Sequence, residues 1–132
     1  MNIKTSKELV DEANKEIKVL NAEEVKTSYE KGDLTLIDIR DIRELWREGT
    51  IKNSIHIPRG MLEFWLDPQS SYFQENKIGN MKNIVLFCAA GFRSALATKA
   101  LKEMGFKNVA NASGGFDALK NAGLEVVQKE KK

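Results

Sequence analysis

Cysteine and histidine are the scarcest reactive residues in this chain. Its 132 residues include one cysteine, Cys88, and one histidine, His56. A single cysteine cannot form an internal disulfide, which is typical of proteins in a reducing compartment, so we expect a cytoplasmic location. Metal sites are usually built from clusters of cysteine, histidine and carboxylate side chains. One cysteine and one histidine far apart in the chain therefore predict no metal site and no cofactor.

Long apolar segments and a surplus of one charge are also missing. No stretch approaches the roughly 20 apolar residues that a transmembrane helix needs. Charged residues interrupt residues 1–20, where the apolar core of a signal peptide would lie. The 21 basic and 19 acidic residues are interleaved and leave a net charge of +2. This pattern predicts neither a nucleic-acid partner nor a membrane partner.

The length of the chain fits a single domain, residues 1–132. Thr5 and Glu8 have the spacing of a capping box ahead of an apolar pattern, so residues 1–17 are expected to form an N-terminal helical extension. The basic residues 128–132 are expected to form a frayed, solvated tail.

Short apolar segments alternate with helical patterns along the chain, which indicates an α/β fold with a parallel sheet between two layers of helices. Strands are predicted at residues 18–20, 34–39, 54–57, 83–87 and 109–111. Helices after the extension are predicted at residues 21–31, 41–47, 60–66, 94–104 and 115–121. Residues 67–80 form the least regular segment.

Cys88 holds the most informative position in this pattern. It follows the most hydrophobic strand and opens the loop Cys88-Ala89-Ala90-Gly91-Phe92-Arg93-Ser94, which leads into a helix. The free N–H groups and positive end of a helix stabilise a thiolate, the reactive form of cysteine. Gly91 permits unusual backbone angles, so the N–H groups of the loop can converge into an anion-binding nest. Arg93 adds a fixed positive charge, and Ser94 is predicted to be the N-cap, with a hydroxyl that can alternatively face the ligand.

The length of this loop separates possible reactions. Four residues lie between Cys88 and Arg93, whereas cysteine-dependent phosphatases use a loop one residue longer, which surrounds a tetrahedral phosphate. The shorter loop suits a smaller group, such as one extra sulfur on Cys88. A phosphatase or arsenate reductase of the same fold remains an alternative, and so does a non-catalytic module that binds partners or senses sulfur.

The loop resembles the active loop of single-domain rhodaneses, the sulfurtransferases, and other stretches agree with that family in order and spacing. The ordered matches are Leu36-Ile37-Asp38-Ile39-Arg40 with Glu44, Gly49-Thr50-Ile51 through Ser54-Ile55-His56-Ile57-Pro58, and Gly114-Gly115-Phe116 through Ala122-Gly123-Leu124. The similarity covers about residues 21–127. Thr50 stands where the family commonly has histidine, and Leu119 stands where tryptophan is frequent.

The resemblance implies a three-layer rhodanese-like fold with a five-stranded parallel sheet. It also implies an enzyme that moves a sulfane sulfur from a small donor, thiosulfate or a persulfide, to cyanide or a thiol acceptor. Cys88 would carry the sulfur as a persulfide, the backbone of residues 89–94 would cradle it, and Arg93 would clamp an anionic donor. Because the loop brings only one positive charge, we expect thiosulfate to be a poor donor and an organic persulfide to be a better one.

Other residues near the strand ends are secondary candidates. Asp38 and Arg40 are expected to form a structural ion pair close to the site, with a direct action on the substrate as the alternative. Arg59 follows Pro58 at a strand exit and is expected either to add a second positive group for the substrate or to lie on the surface. Glu44 can reach Arg59 or Arg40, or remain solvated.

His56 and the aromatic residues allow several interpretations. His56 is expected to be a hydrogen-bonded strand-end residue rather than a general base. The segment Met61–Trp65 is expected to pack in the core, to wall the pocket or to form a dimer contact, which leaves a homodimer open. Phe92 is expected to be partly exposed at the mouth of the pocket, where it can meet an apolar donor or a partner protein.

Overall fold

A five-stranded parallel sheet lies at the centre of the protein in the computed structural model, which describes residues 2–75 and 83–131. In spatial order its strands are β1 (Lys18–Leu20), β6 (Val109–Ala112), β5 (Asn83–Phe87), β2 (Leu34–Asp38) and β4 (Ile55–His56). Each strand is parallel to its neighbours. The predicted α/β class and five-stranded parallel sheet are confirmed.

The helices follow the predicted pattern with small differences at their ends. They are α1 (Ser6–Glu16), α2 (Ala22–Glu30), α3 (Ile42–Glu48), α4 (Leu62–Leu66), α5 (Phe92–Met104) and α6 (Gly115–Asn121). A 3₁₀ turn, Arg59–Met61, precedes α4. Capping boxes begin α1, α2 and α3, at Thr5, Asn21 and Asp41. Of the segment predicted to be irregular, residues 76–80 lie outside the described part of the chain.

A small second sheet was not predicted. Its strands β3 (Thr50–Ile51) and β7 (Val126–Val127) pair in an antiparallel arrangement. Two residues are too few to show a strand pattern in the sequence, and the pairing joins segments that are far apart in the chain. Beyond β7, residues 128–131 are exposed and belong to no helix or strand. The frayed tail itself stays a prediction.

The sheet is buried on both faces, as the continuous apolar sequence of β5 predicts. Alternate residues of β5 point to opposite sides. Ile84 and Leu86 join a core cluster that includes residues of α4 and α5. Val85 and Phe87 join a second cluster that includes residues of α2 and α6. Cys88 belongs to the first cluster, so the sulfur lies on the α4 and α5 side of the sheet.

The helix α1 packs outside this framework, against α5. Its buried residues Val10 and Ala13 form a cluster with Ala95. This contact places α1 beside the beginning of α5, close to the Cys88 loop. Within the described part of the chain, no helix is long and apolar enough to cross a membrane.

Candidate active site

The sulfur of Cys88 lies at the bottom of the loop that joins β5 to α5. Cys88 comes directly after the last residue of β5, and only 1% of its surface is exposed. Cys88 thus lies at the carboxyl end of a central parallel strand. Ligand sites usually occupy this position in such sheets. The thiol is therefore buried at the edge of the sheet where the parallel strands end.

Three hydrogen-bond contacts surround the sulfur. The backbone N–H groups of Gly91 and Ser94 donate to Sγ over 3.2 and 3.4 Å. The Ser94 hydroxyl lies 3.3 Å from Sγ. Burial raises the pKa of the Cys88 thiol, but the Ser94 hydroxyl and the N–H groups of Ser94, Gly91 and Ala90 lower it more, so the pKa lies below its ordinary value. The cradle therefore favours the thiolate.

Glycine and a short contact with α6 give the loop its shape. Gly91 adopts φ 99°, a left-handed conformation that a residue with a Cβ rarely takes. Gly115, at the start of α6, lies so close that a Cβ there would overlap the carbonyl oxygens of Cys88 and Ala89. The N–H of Phe116 donates to the Cys88 carbonyl over 2.7 Å. The Gly-Gly pair at residues 114–115 thus lets the start of α6 pack directly against the backbone of the Cys88 loop and support it.

Ser94 does not cap the helix, contrary to the sequence prediction. α5 begins at Phe92, and Gly91 is its N-cap residue without a side-chain cap. Ser94 therefore lies inside the first turn, fully buried, and its hydroxyl lies 3.3 Å from Sγ of Cys88, while the alternative that it faces a ligand stays a prediction. The physical reason is that the sulfur accepts from the N–H groups of this turn, so no side-chain cap is needed.

Asn111 in β6 hydrogen-bonds to both Ser94 and Gly91 of the Cys88 loop. It was not predicted as a site residue. The Ser94 hydroxyl donates to its Oδ1 over 2.6 Å, and its Nδ2 donates to the Gly91 carbonyl over 3.1 Å. Ser94 has one hydroxyl proton and two acceptors, so it can accept the S–H of a thiol or turn its own proton to a thiolate. A buried polar residue in a strand was the available signal.

Arg93 lies beside the sulfur but is held by another residue. Its guanidinium donates to both carboxylate oxygens of Glu44 in α3, over 2.9 and 3.0 Å. Glu44, and to a smaller degree the Cys88 thiolate, raises the pKa of Arg93, while burial opposes this. The cation that hydrogen-bonds to Glu44 is thus Arg93 rather than the predicted Arg59 or Arg40, although the charge of Arg40 also acts on Glu44. The role of Arg93 as an anion clamp remains a proposal.

Arg59 forms an ion pair with α4, on the side of the sheet where the Cys88 sulfur lies. Its Nη1 donates to Glu63 of α4 over 2.8 Å, one helical turn away. Arg59 and Glu63 are both partly exposed. This ion pair engages the guanidinium with Glu63, and the role of Arg59 as a second positive group for the substrate stays a prediction.

Asp38 and Arg40 form the predicted structural ion pair at the end of β2. Both side chains are fully buried, and Arg40 donates to the Asp38 carboxylate through Nε and Nη2, the latter over 2.8 Å. Arg40 also donates to the Gly49 carbonyl and lies 4.2 Å from the centre of the Phe116 ring. Thr50, which replaces the family's histidine, donates to Asp38 over 2.6 Å.

The remaining candidates are peripheral. Nε2 of His56 lies 2.7 Å from the Arg40 carbonyl oxygen, consistent with a hydrogen-bonded residue at the end of a strand. Phe92 is 65% exposed, as predicted. It lines a groove of about 480 Å³ between α1 and α5, together with Val10, Arg93 and Leu96. Among the described residues, no group of three or more histidine, cysteine or carboxylate side chains is arranged to hold a metal ion.

This is an α/β protein in which a parallel sheet carries helices on both faces. Its cysteine lies in a nest of N–H groups directly after a central strand. The sequence model of the rhodanese-like domain family matches residues 21–122. The chain belongs to that family. The helix α1 lies outside the matched region.

Three similar proteins show how far the resemblance extends. A protein of unknown function from Rhodopseudomonas palustris CGA009, described as a possible tyrosine phosphatase, is 41% identical with a TM-score of 0.88, and the match covers 96% of this chain and 97% of that one. The polysulfide-sulfur transferase homodimer of Wolinella succinogenes is 34% identical with a TM-score of 0.68, over 92% of this chain and 85% of that one.

A curated relative comes from Photorhabdus laumondii. Its tRNA uridine(34) hydroxylase is 32% identical over 97 residues, which are 74% of this chain and 26% of that protein. The chain thus spans about a quarter of the length of this relative.

Proposed function

We propose that this protein is a sulfurtransferase that carries a sulfane sulfur on Cys88. The observation that carries the proposal is the convergence of two backbone N–H groups and one hydroxyl on the buried sulfur at the end of β5. These neutral donors stabilise a thiolate before the reaction and an anionic persulfide after it. Sulfurtransferases of the same family, such as the Wolinella protein, support this assignment.

The reaction has two balanced steps. The Cys88 thiolate attacks the outer sulfur of a donor, a new S–S bond forms, and the donor's own bond to that sulfur breaks. The leaving group, sulfite from thiosulfate or a thiolate from an organic persulfide, takes the electron pair. An acceptor, a thiol as its thiolate or cyanide, then attacks the outer sulfur of the persulfide and returns Cys88 as a thiolate.

The residues of the loop have separate tasks in this mechanism. The N–H groups of Gly91 and Ser94 hold the negative charge on sulfur, and the residues Ala89 and Ala90 leave space because their side chains are small. Arg93 faces the leaving group of the donor. Phe92 contributes an apolar surface where the donor or acceptor approaches. Hydroxylation of tRNA, named for the Photorhabdus relative, is not part of this proposal because the chain matches about a quarter of that protein.

Intact-protein mass spectrometry tests the proposal. After incubation with an organic persulfide or with thiosulfate, the wild-type protein is expected to gain the mass of one sulfur atom, and the C88S variant none. Addition of a thiol acceptor should remove the added mass and release persulfide. The proposal fails if no donor adds sulfur although Cys88 still reacts as a free thiol with iodoacetamide.

A phosphatase is the second candidate, because the Rhodopseudomonas protein of nearly the same fold carries that description. The loop of this chain is one residue shorter than that of cysteine phosphatases, and Glu44 holds the arginine that would bind phosphate. We therefore expect no Cys88-dependent hydrolysis of a phosphotyrosine analogue. Turnover that C88S abolishes would favour the phosphatase instead.

A further inference from the structure

The positive charge of Arg93, beside Cys88, is already paired with a carboxylate of the same chain. Two parallel hydrogen bonds join the guanidinium of Arg93 to the carboxylate of Glu44, over 2.9 and 3.0 Å. Paired contacts of this kind are among the strongest and most specific that arginine makes. An anionic donor that approaches Arg93 therefore meets a neutral pair rather than a free cation.

Glu44 is fixed in this position by its own helix. Its Oε2 accepts the backbone N–H of Asp41 over 3.1 Å, which completes the capping box at the start of α3. The side chain is only 17% exposed, compared with 45% for Arg93. A carboxylate held by a cap and partly shielded from water keeps more of its electrostatic influence than a mobile surface residue.

The other groups that contact the sulfur are uncharged, so they do not replace the positive charge of Arg93 that Glu44 neutralises. Gly91 and Ser94 contribute neutral N–H and O–H groups. Arg40, the other arginine whose charge acts on Glu44, is bound to Asp38 and fully buried. Both arginines are thus paired with carboxylates, and a site whose positive charges are neutralised in this way suits donors of low charge better than a dianion.

We infer that Glu44 is a specificity-determining residue, which neutralises Arg93 and sets the preference of the Cys88 site for weakly charged persulfide donors over thiosulfate. This inference rests on the proposed sulfurtransferase function. It goes further by assigning a role in donor selection to an acidic residue from a different element, 49 positions from Arg93 in the sequence.

The E44Q variant removes the negative charge of residue 44 and is expected to keep the capping box of α3. Glutamine keeps a side-chain oxygen for the capping box, since glutamine serves there as well as glutamate. It removes the negative charge that faces Arg93. The E48Q variant is the matched control, because Glu48 lies on the same helix, is 48% exposed and interacts with Arg40 rather than with Arg93.

Two measurements are needed, and one of them does not require sulfur transfer. Alkylation of Cys88 by anionic iodoacetate is compared with alkylation by neutral iodoacetamide, both of which lose iodide to the thiolate. A change in the thiolate fraction alters both rates equally, so their ratio reports only the preference for charge. The second measurement is kcat/KM for thiosulfate relative to that for an organic persulfide.

We expect E44Q to raise both ratios about tenfold, the size of removing one partly shielded charge a few ångströms from the reagent. E48Q should change them less than about twofold. An unchanged alkylation ratio in E44Q overturns the inference, and so does a raised alkylation ratio with an unchanged donor preference. If wild-type protein takes sulfur from no donor, the sulfurtransferase function fails as well, whatever the alkylation ratio shows.

Discussion

Two neighbouring strands of the sheet end side by side and use charge in opposite ways. In the register of β2 and β5, Asp38 lies opposite Phe87, the residue before Cys88. At the end of β2, the Asp38 carboxylate and the Arg40 guanidinium form a buried ion pair. At the end of β5, neutral donors converge on a sulfur that can change its bonding partner.

The difference shows how one edge of a sheet can combine a rigid support with a reactive group. Asp38 accepts from Arg40 and Thr50, and Arg40 reaches the Gly49 carbonyl, so this network ties β2 to the segment before β3. These groups are engaged with one another rather than with a ligand. The Cys88 nest, by contrast, carries its negative charge only when the thiolate or persulfide is present, and is therefore suited to accept and release a group.

Removing the charge of Asp38 is expected to have the largest effect on stability. The D38N variant keeps the size of the side chain but leaves Arg40, which is 0% exposed, without its buried counter-charge, because its other carboxylate partner, Glu48, is half-exposed and 3.7 Å away. We expect the free energy of unfolding to fall by about 3–5 kcal/mol, the usual consequence of breaking a buried ion pair. Denaturation by urea, followed by circular dichroism, measures this change.

The chain contains a natural control for this prediction. Asp41 and Arg43 form an ion pair at the same sequence separation, but both side chains are largely exposed. D41N retains a good N-cap residue, so it removes only a surface charge and should change stability much less. Equal losses in the two variants would mean that burial of the Asp38 pair is not what makes it important.

Gly115 tests whether the Cys88 loop depends on close backbone packing rather than on charge. In G115A, a Cβ would overlap the carbonyl oxygens of Cys88 and Ala89, and the residue has φ 59°. We expect a loss of about 3 kcal/mol, from backbone strain together with overpacking. Slower alkylation of Cys88 should accompany it, because α6 can no longer brace the loop.

Gly32 provides the matched control for strain alone. It has φ 73°, and a Cβ added there would meet no other atom within 4 Å. G32A should therefore lose only the about 1 kcal/mol of a left-handed non-glycine residue and leave the reactivity of Cys88 unchanged. If G115A behaves like G32A, the contact between α6 and the loop has no role in shaping the nest.

The two strand ends also differ in how much of them the sequence reveals. The Asp38–Arg40 pair and the Cys88 loop are local patterns, so their residues and approximate positions are predictable from spacing. The partners of the loop are not local: Glu44 and Asn111 are brought to it by strand order and register, and they lie 49 positions from Arg93 and 17 from Ser94. A single sequence can show that such a residue is unusual, but it does not show which residue it pairs with over that distance.

The start of α5 shows the same limit on a smaller scale. Ser94 has the residue type of an N-cap, and local preference alone predicts it there. The helix instead begins two residues earlier, because Gly91 turns the chain and the sulfur accepts the N–H groups of the first turn. The Cys88 sulfur accepts an N–H group that a side-chain cap would otherwise take, and local sequence preference does not reveal such a tertiary contact.

The smallest expected effect comes from a change at Ser94, which alters the reactivity of Cys88 at the end of β5. Burial raises the pKa of Cys88, and among the hydrogen bonds that lower it the Ser94 hydroxyl contributes most. In S94A the pKa of Cys88 therefore rises. Since the thiolate is populated only above this pKa, the curve of alkylation rate against pH moves to higher pH.

At neutral pH, S94A should react with iodoacetamide about tenfold more slowly than wild type, the size of one hydrogen bond to a charged group. The two rates should converge at alkaline pH, where both thiols are ionised. T98V is the control, because Thr98 has a buried hydroxyl on the same helix that donates to the Ser94 carbonyl over 2.7 Å and not to the sulfur. Coinciding curves for S94A and wild type would show that backbone N–H groups alone sustain the thiolate, which would make the contrast with the side-chain network of Asp38 sharper still.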